Sequence, residues 1–518
     1  MTDADKPSSG LVFFLLTGLS LSVGWGIRGN FGHEYGAMIA GALAAMAVVA
    51  LSGREDWARR SAYFAMFGAL GWSFGGSQSY MQVIAYTHSG HSPSVLYGFA
   101  CLFVIGFLWA APGGAGTAFV AYADRQRLTE IFAPMTAVFA AWWLQGVLIA
   151  PAIIALFGPK SLNWYDTDWL AAGLAIVAVA ILAKVRHRLD SGSILILHMA
   201  IGWWAGFLIL VNILGLRMTP PRGDNWSGCV GLTMGLIVYF LRNGLAPVAR
   251  ATIVTGMLGG TGFAAASMLK LVEVTSGLTT NWHSVLEQTT GLFNGLALAV
   301  AMWTPSRTAP KIDDDPPPRW TEVYAVGFVL LGITYLNLIK NVADWIRVKA
   351  MPATMVGLPS WIWFVAAYVA LAAALLVPLL AKKSRPLAVL SINPMGRCQL
   401  LFLVFLWWMV VGNFERAVVG FTAERLVTEW VILVNAAICT ILILLGPGGS
   451  LPGPSTDPSG ERKQSLRLIA LCTVAAILMV FVDWGVVRMI YGDKFAGHAS
   501  KHIRFGPDAT IAKPDSPR

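Results

Sequence analysis

Charged residues are scarce in this chain, and the shortage limits what kind of protein it is. Only 12% of the 518 residues are charged, whereas a soluble domain carries about 25%. Hydrophobic residues make up 56% of the sequence, and the mean hydropathy is +0.64. These values exclude an ordinary soluble enzyme and predict an integral membrane protein whose main partner is the lipid bilayer.

Cysteine is also rare, and no two cysteines have a functional spacing. The five cysteines lie singly in apolar stretches, with no CxxC pair and no Cys/His spacing typical of zinc. We therefore predict neither a disulfide framework nor a bound metal or other cofactor.

Motifs of several common enzyme classes are missing as well. The sequence has no phosphate-binding glycine loop ending in Lys-Ser/Thr, no HExxH and no GxSxG. It also has no polar stretch long enough for an ATPase domain, so any transport would have to use a gradient. The net charge of +10 comes from short basic clusters between apolar runs, which is typical of membrane loops and does not predict nucleic acid as a partner.

What the chain does have is long apolar runs. A membrane-spanning helix needs roughly 20 mostly apolar residues, and the sequence offers about fifteen such runs (13–15 allowing for the weakest). We therefore predict an all-α, polytopic transmembrane helical bundle. The runs are 11–28, 36–52, 61–84, 95–115, 131–157, 167–184, 193–216, 228–241, 248–268, 286–304, 321–340, 361–381, 398–414, 427–446 and 466–486.

The distribution of Lys and Arg predicts the orientation of the bundle. Loops after even-numbered runs, together with Lys6, hold 21 basic residues, whereas loops after odd-numbered runs hold 10. Cytoplasmic loops carry the excess of basic residues. We therefore predict a multi-pass protein of the inner cell membrane with its N-terminus and the Asp313–Asp315 loop in the cytoplasm.

An internal repeat is also predicted. A shift of 189 residues places Gly26 and Arg28 on Gly215 and Arg217, and runs one to five fall on runs seven to eleven. The sixth run needs a gap of several residues to reach the twelfth. Six spans in each copy imply a parallel 6+6 repeat, an arrangement found in secondary transporters. The predicted units are 1–190 and 191–385, followed by a C-terminal extension of about three helices at 386–518.

One segment between two apolar runs, Trp25 to Tyr35, concentrates ionisable residues. Arg28, His33 and Glu34 lie within it, and charge near membrane depth is costly enough to indicate a functional site. Arg28 is interpreted either as a ligand for a carboxylate or phosphate or as an interfacial arginine that reaches lipid headgroups. Glu34 is interpreted either as a structural partner of Arg28 or as a proton carrier.

Further candidate site residues fall in later loops on the same predicted outer face. Glu287 and Asn294 share one helix face with Gly291, so this polar stripe is expected to face the bundle interior or a water-filled cavity. Its alternative role is hydrogen bonding between helices. The remaining candidates, Arg217, Arg222 and Asp224, lie together in one loop of the second predicted unit.

These features predict a gradient-driven secondary transporter of a small anionic solute, with its site on the outward-facing side between the repeats. Arg28 and Arg217 would bind the anion, and Glu34 or Glu287 would carry the coupling charge. The first alternative is a membrane-embedded transferase that uses a polyprenyl-phosphate or acyl donor, with Glu34 or Asp224 as its base. The second is a non-catalytic scaffold. The short outer loops disfavour the enzyme.

Overall fold

The computed structural model describes residues 10–75, 78, 80–89, 91–218, 223–312, 316–381, 384–419, 423–445 and 458–491. Within these ranges the regular secondary structure is helical, apart from a hairpin of two two-residue strands, β1 (Thr354–Met355) and β2 (Leu358–Pro359). The predicted all-α architecture is confirmed. The helices are α1 (Gly10–Phe31), α2 (His33–Leu51), α3 (Glu55–Arg59), α4 (Ser61–Phe74), α5 (Met81–Thr87), α6 (Ser92–Tyr122), α7 (Arg125–Glu130), α8 (Phe132–Leu144), α9 (Ala150–Phe157), α10 (Trp169–Arg186), α11 (Ser191–Gly206), α12 (Asn225–Arg242), α13 (Ala246–Ser267), α14 (Leu269–Ser276), α15 (Trp282–Trp303), α16 (Pro305–Thr308), α17 (Arg319–Gly327), α18 (Thr334–Arg347), α19 (Ser360–Leu380), α20 (Met395–Val419), α21 (Ala423–Leu445) and α22 (Pro458–Val486).

Twelve helical stretches in the described ranges are long and apolar enough to cross a membrane. Each of them overlaps one of the fifteen predicted runs, so a multi-pass membrane protein is confirmed. They are Gly10–Phe31, His33–Leu51, Ser92–Tyr122, Arg125–Phe157, Trp169–Arg186, Ser191–Ile213, Ala246–Ser276, Arg319–Arg347, Ser360–Leu380, Met395–Ala417, Arg425–Leu445 and Leu466–Ile490.

The other three predicted runs fall on helices that do not reach this length and hydropathy. They are α4, which has 14 residues, and the more polar α12 and α15. Much of each helix is buried against other helices, so it need not be apolar on every face as a lipid-exposed helix must be. A total of fifteen spans stays a prediction.

The buried centre of the bundle is formed by α1, α2, α4, α6, α13 and α15. Glycines allow these helices to approach closely. A Cβ on Gly71 of α4 would lie 2.2 Å from the carbonyl oxygen of Pro112 on α6, and one on Gly41 of α2 would lie 2.4 Å from that of Gly68 on α4. Backbone-to-backbone contact of this kind is the usual role of small residues between membrane helices.

The helices from α8 to α10 lie at the edge of the bundle. Only 6% of the apolar window in Arg125–Phe157 is buried, and only 11% of that in Trp169–Arg186. Large apolar side chains such as Leu156 and Phe157 are about three-quarters exposed. A surface this apolar fits a helix face that contacts lipid.

Some helix starts are spaced by about the 189-residue shift, although α1 and α11 begin eight residues away from it. After the shift, α2, α4, α5, α6 and α10 begin within four residues of α12, α13, α14, α15 and α19, respectively. The tenth and nineteenth helices begin 191 residues apart, two more than the shift, so the gap expected from the sequence is two residues at their starts. The repeat itself and the three unit boundaries stay predictions.

Candidate functional site

The segment that stands out in the sequence forms a tight corner between α1 and α2. Gly32 joins the two helices with a φ of +96°, a backbone conformation that only glycine adopts without strain. Its N–H donates to the carbonyl oxygen of Arg28 at 3.0 Å. This one-residue turn brings Arg28 and His33 together, with 2.9 Å between Arg28 Nη2 and His33 Nδ1.

The carboxylate that meets Arg28 comes from α15. Arg28 Nη1 lies 2.8 Å from both carboxylate oxygens of Glu287, and the two side chains are 1% and 2% exposed. The guanidinium also lies over the rings of Trp25 and Trp109, at 4.9 and 5.0 Å from their centroids. Aromatic faces attract a cation that has little water around it, so Arg28 is held by one carboxylate and two indoles.

Two more side chains complete the surroundings of Glu287. The Tyr80 hydroxyl donates to Oε1 at 2.5 Å, and His283 Nε2 lies 3.6 Å from the same oxygen. The His283 side chain is 41% exposed, and His33 is exposed as well. The buried ion pair is thus bordered on the protein surface by two histidines, the residue type best suited to carry protons near neutral pH.

Glu34 does not contribute the partner of Arg28, so that interpretation of the sequence is wrong. The adjacent positions of His33 and Glu34 on α2 place their side chains about 100° apart, and the corner directs the histidine towards Arg28. Glu34 is exposed and lies within electrostatic reach of Asp168 and Lys340. It remains a candidate acid or base on the surface beside the buried pair.

Asn294 lies in the bundle, on the expected face of α15. It is fully buried, and a Cβ on Gly259 of α13 would lie 2.6 Å from its Oδ1. Neither amide atom of Asn294 has a hydrogen-bond partner in the described chain. The same is true of the indole N–H groups of Trp25 and Trp109. Buried polar groups are normally satisfied. These unpaired groups lie on α1, α6 and α15, and the ion pair joins α1 to α15.

Arg217 and Asp224 form a second, separate buried pair. Arg217 Nε donates to Asp224 Oδ2, with side-chain exposures of 2% and 0%. Asp224 Oδ1 also accepts from Trp226 Nε1 at 3.2 Å, and the guanidinium lies 4.6 Å from the ring centroid of Tyr165. Burial raises the pKa of Asp224, although Arg217 acts in the opposite direction. The pair joins the end of one span to the start of α12.

A cavity of about 260 Å³ lies next to this second pair, and its walls are apolar. Arg222 lies outside the described residues. In the described ranges, no three His, Cys, Asp or Glu side chains come together as a metal ion would require. The lining residues are Tyr97, Ala100, Cys101, Val104, Leu216, Arg217, Met218 and Trp226.

Sequence reasoning did not select Tyr80, His283, Trp25 or Trp109 as site residues. Tyr80 and His283 are polar residues on the predicted outer face, so polarity was an available signal for them. The two tryptophans gave no such signal, because an isolated tryptophan in an apolar helix is typical of a membrane interface.

A comparison with known protein families, with curated proteins and with solved structures finds no match to this chain. The class of protein therefore follows from the chain itself. It is an integral, multi-pass helical membrane protein with a buried arginine–glutamate pair between its first and fifteenth helices.

Proposed function

We propose that this protein is a gradient-driven secondary transporter of a small anionic solute, with the Arg28–Glu287 pair as its substrate centre. The observation that carries the proposal is the ion pair itself, buried inside a membrane protein and bordered by the exposed His33 and the partly exposed His283. Burying ionisable groups inside a membrane protein costs free energy, and such groups mark substrate and proton pathways. The orientation follows the basic loops: the N-terminus is cytoplasmic and the site opens outward.

The solute anion would replace the Glu287 carboxylate as the partner of Arg28, and this replacement would couple the solute to a proton. A guanidinium presents a planar fork that fits a carboxylate or a phosphate, but Glu287 occupies Arg28 here. A proton on Glu287 would turn this carboxylate into a neutral acid and release Arg28 for the solute. The buried site then holds one positive and one negative charge before and after exchange.

The energetic basis of this coupling is the cost of buried charge. Leaving one member of a buried ion pair without its partner costs about 3–5 kcal/mol, and each 1.4 kcal/mol is about a factor of 10 in occupancy. An anion that entered without a proton would leave an extra negative charge in the site. Solute and proton would therefore bind together far more readily than the solute alone.

His283 is the side chain placed to deliver the proton. Its Nε2 lies 3.6 Å from Glu287 Oε1 and its ring is partly exposed, so it can exchange protons with water on one side and with the carboxylate on the other. Tyr80 and Arg28 stabilise the charged form of Glu287 by donating to its oxygens. Release of both bonds on protonation would free the guanidinium and the phenol together.

The test is a thermal-shift screen of purified protein against small carboxylates and phosphates, repeated with Arg28→Gln. The matched control is Arg59→Gln, because Arg59 is 63% exposed and its ion-pair partner among the described residues is Glu55 on its own helix. We expect a soluble anion to stabilise the wild type and the control but not Arg28→Gln. Equal stabilisation of Arg28→Gln, or no response to any anion, would contradict the proposal.

The second candidate function, a transferase with a lipid-linked donor, is favoured by the apolar cavity beside Arg217. A prenyl or acyl chain fits apolar walls, and a guanidinium fits a lipid phosphate. Against it, Arg217 is already paired with Asp224, whose side chain is fully buried and so is not a free base. Stabilisation by polyprenyl phosphate alone in the same screen would move this function to first place. If neither the soluble anions nor polyprenyl phosphate stabilise the protein, the non-catalytic scaffold is favoured.

A further inference from the structure

A third buried carboxylate lies at the junction of α1, α20 and α21. Glu429 of α21 is 1% exposed and Asn413 of α20 is fully buried. Asn413 Nδ2 donates to Glu429 Oε2, and Asn30 Nδ2 of α1 lies 3.4 Å from Oε1. Asn30 Nδ2 also donates to Asn413 Oδ1 at 2.6 Å. Two asparagines from two other helices therefore hold one carboxylate, with one amide on each of its oxygens.

Both asparagines occupy the same short sequence. Gly29-Asn30-Phe31 and Gly412-Asn413-Phe414 are identical triplets near the ends of α1 and α20. The contact between the two triplets places matched amides on both sides of Glu429. This is a specific arrangement for a carboxylate, because each oxygen receives an amide donor and Asn30 Nδ2 also donates to Oδ1 of Asn413.

No cation neutralises this carboxylate among the residues that the structure describes. Arg28 is paired with Glu287, and Arg416 is paired with Asp344 at 2.6 Å. Arg425, one turn before Glu429, acts on it electrostatically without forming an ion pair. Among the described residues, the charged or titratable groups near this end of the packed helices include Arg28 on α1, His283 and Glu287 on α15, Glu415 and Arg416 on α20, and Arg425 on α21 itself.

We propose that Glu429, held by Asn30 and Asn413, is a second proton-binding site that controls how the α20–α21 hairpin packs on α1. An uncompensated carboxylate inside a membrane protein is costly and is relieved when it takes up a proton. The proton comes from water, forms an O–H bond on one carboxylate oxygen, and returns to water when the site opens again. The functional role of this site rests on the transport function proposed above, whereas proton uptake by Glu429 does not depend on it.

Protonation would weaken the junction, because amide hydrogen bonds to a charged carboxylate are stronger than those to a neutral acid. Asn30 lies two residues after Arg28 on α1, so a change of packing at Glu429 reaches the substrate centre through one helix end. A proton fits the site better than a metal cation does. Both amides turn their N–H groups to the carboxylate, whereas hard cations require oxygen ligands.

The experiment is infrared difference spectroscopy of the purified full-length protein between acid and neutral pH. It follows the C=O stretching band of protonated carboxyl groups and needs no solute. The variants are Glu429→Gln and, as a control on the neighbouring helix, Glu415→Gln. We expect a titrating band in the wild type and in Glu415→Gln that is missing in Glu429→Gln. An unchanged band in Glu429→Gln would overturn the proposal.

A second variant keeps the test independent of how well Glu429→Gln folds. Asn413→Ser leaves Glu429 in place but removes its main amide donor, so the carboxyl band should titrate at a different pH than in the wild type. A band that titrates unchanged in Asn413→Ser, or one that responds to sodium rather than to pH, would contradict a proton site. Arg28→Gln should lose the anion response while keeping the Glu429 band, so the two proposals fail separately.

Discussion

Arg28 and Glu287 are separated by 259 residues in the chain, yet one nitrogen of Arg28 contacts both oxygens of Glu287 at 2.8 Å. The pair joins α1 to α15, two helices that pack along each other in the buried centre of the bundle. Because each side chain is almost fully buried, a change of charge on Glu287 would leave Arg28 without its ionic partner. The predictions about the substrate centre follow from this relationship.

Glu287→Gln should keep anion binding and lose its pH dependence. The neutral glutamine resembles the protonated acid, so Arg28 is free for the solute at every pH. We expect the anion affinity of Glu287→Gln at neutral pH to match or exceed that of the wild type in acid. Isothermal titration calorimetry at several pH values measures this directly. A wild-type slope of affinity against pH in Glu287→Gln would show that the proton binds elsewhere.

Tyr80→Phe should shift the same pH profile. The lost hydroxyl is a donor at 2.5 Å to Glu287 Oε1, and its bond favours the charged carboxylate. Without this bond, anion binding should reach half its maximum at a different pH than in the wild type. Tyr335→Phe is the control, since Tyr335 is 40% exposed and far along the chain from this site. Identical profiles for Tyr80→Phe and Tyr335→Phe would remove Tyr80 from the mechanism.

A double-mutant cycle separates a structural role of the second pair from a ligand role. Arg217→Gln or Asp224→Asn alone leaves one buried charge unpaired, which costs about 3–5 kcal/mol of stability. The double variant removes both charges, so we expect it to lose less stability than the sum of the single variants. Thermal unfolding in detergent measures all four proteins. Additive losses would mean that the two side chains do not depend on each other, contrary to the contact between them.

Patterns along the sequence predict the helices well but not the contacts between distant residues. The apolar runs indicate all twelve candidate spans of the described residues because each run is set by its own composition, and the Arg28 segment is visible because charge is rare here. The partner of Arg28 could not be found, since Glu34 is the nearer carboxylate in sequence and the choice depends on a one-residue turn at Gly32. The site at Glu429 required knowing that α20 and α21 pack on α1.

The hydrogen bonds of the Asp56 carboxylate, between α2 and α4, should stabilise the protein only above strongly acid pH. Burial acts to raise the pKa of Asp56, but bonds from Arg54 and from the Ile312 N–H outweigh it and lower the pKa from its usual 3.8. A lowered pKa means that the charged form is favoured in the folded state, so this stability is present above about pH 4 and is lost as pH falls through the lower folded value.

Asp56→Asn tests this directly. The variant should lose about 1.5–3 kcal/mol at neutral pH, the usual contribution of a hydrogen bond to a charged group, and its melting temperature should approach that of the wild type as the pH falls below about 4. Thermal unfolding between neutral pH and pH 3 follows both proteins. A difference that stays constant over this range would assign the effect of Asp56 to packing instead of charge.

The same loop argues for the predicted topology. Arg54 donates to the carbonyl oxygens of Ala309 and Pro310, at 2.5 and 2.8 Å, so the loop after α2 and the segment leading to Asp313–Asp315 lie on one face of the bundle. The structure does not describe Asp313–Asp315, but Ile312 also binds Asp56 at 3.1 Å. Two loops with an excess of basic residues on one face are expected to be cytoplasmic.

Cysteine labelling in intact cells measures the side. All five native cysteines are buried, so a cysteine introduced at Asp314 or Ser8 gives a signal over a low background. We expect an impermeant outside reagent to miss both positions and to label a cysteine at Asn163, in an exposed loop after an odd-numbered predicted span. Labelling at Asp314 together with no labelling at Asn163 would show that the protein has the opposite orientation in the membrane. The histidines that border the Arg28–Glu287 pair would then face the cytoplasm, and the coupled proton would enter from inside.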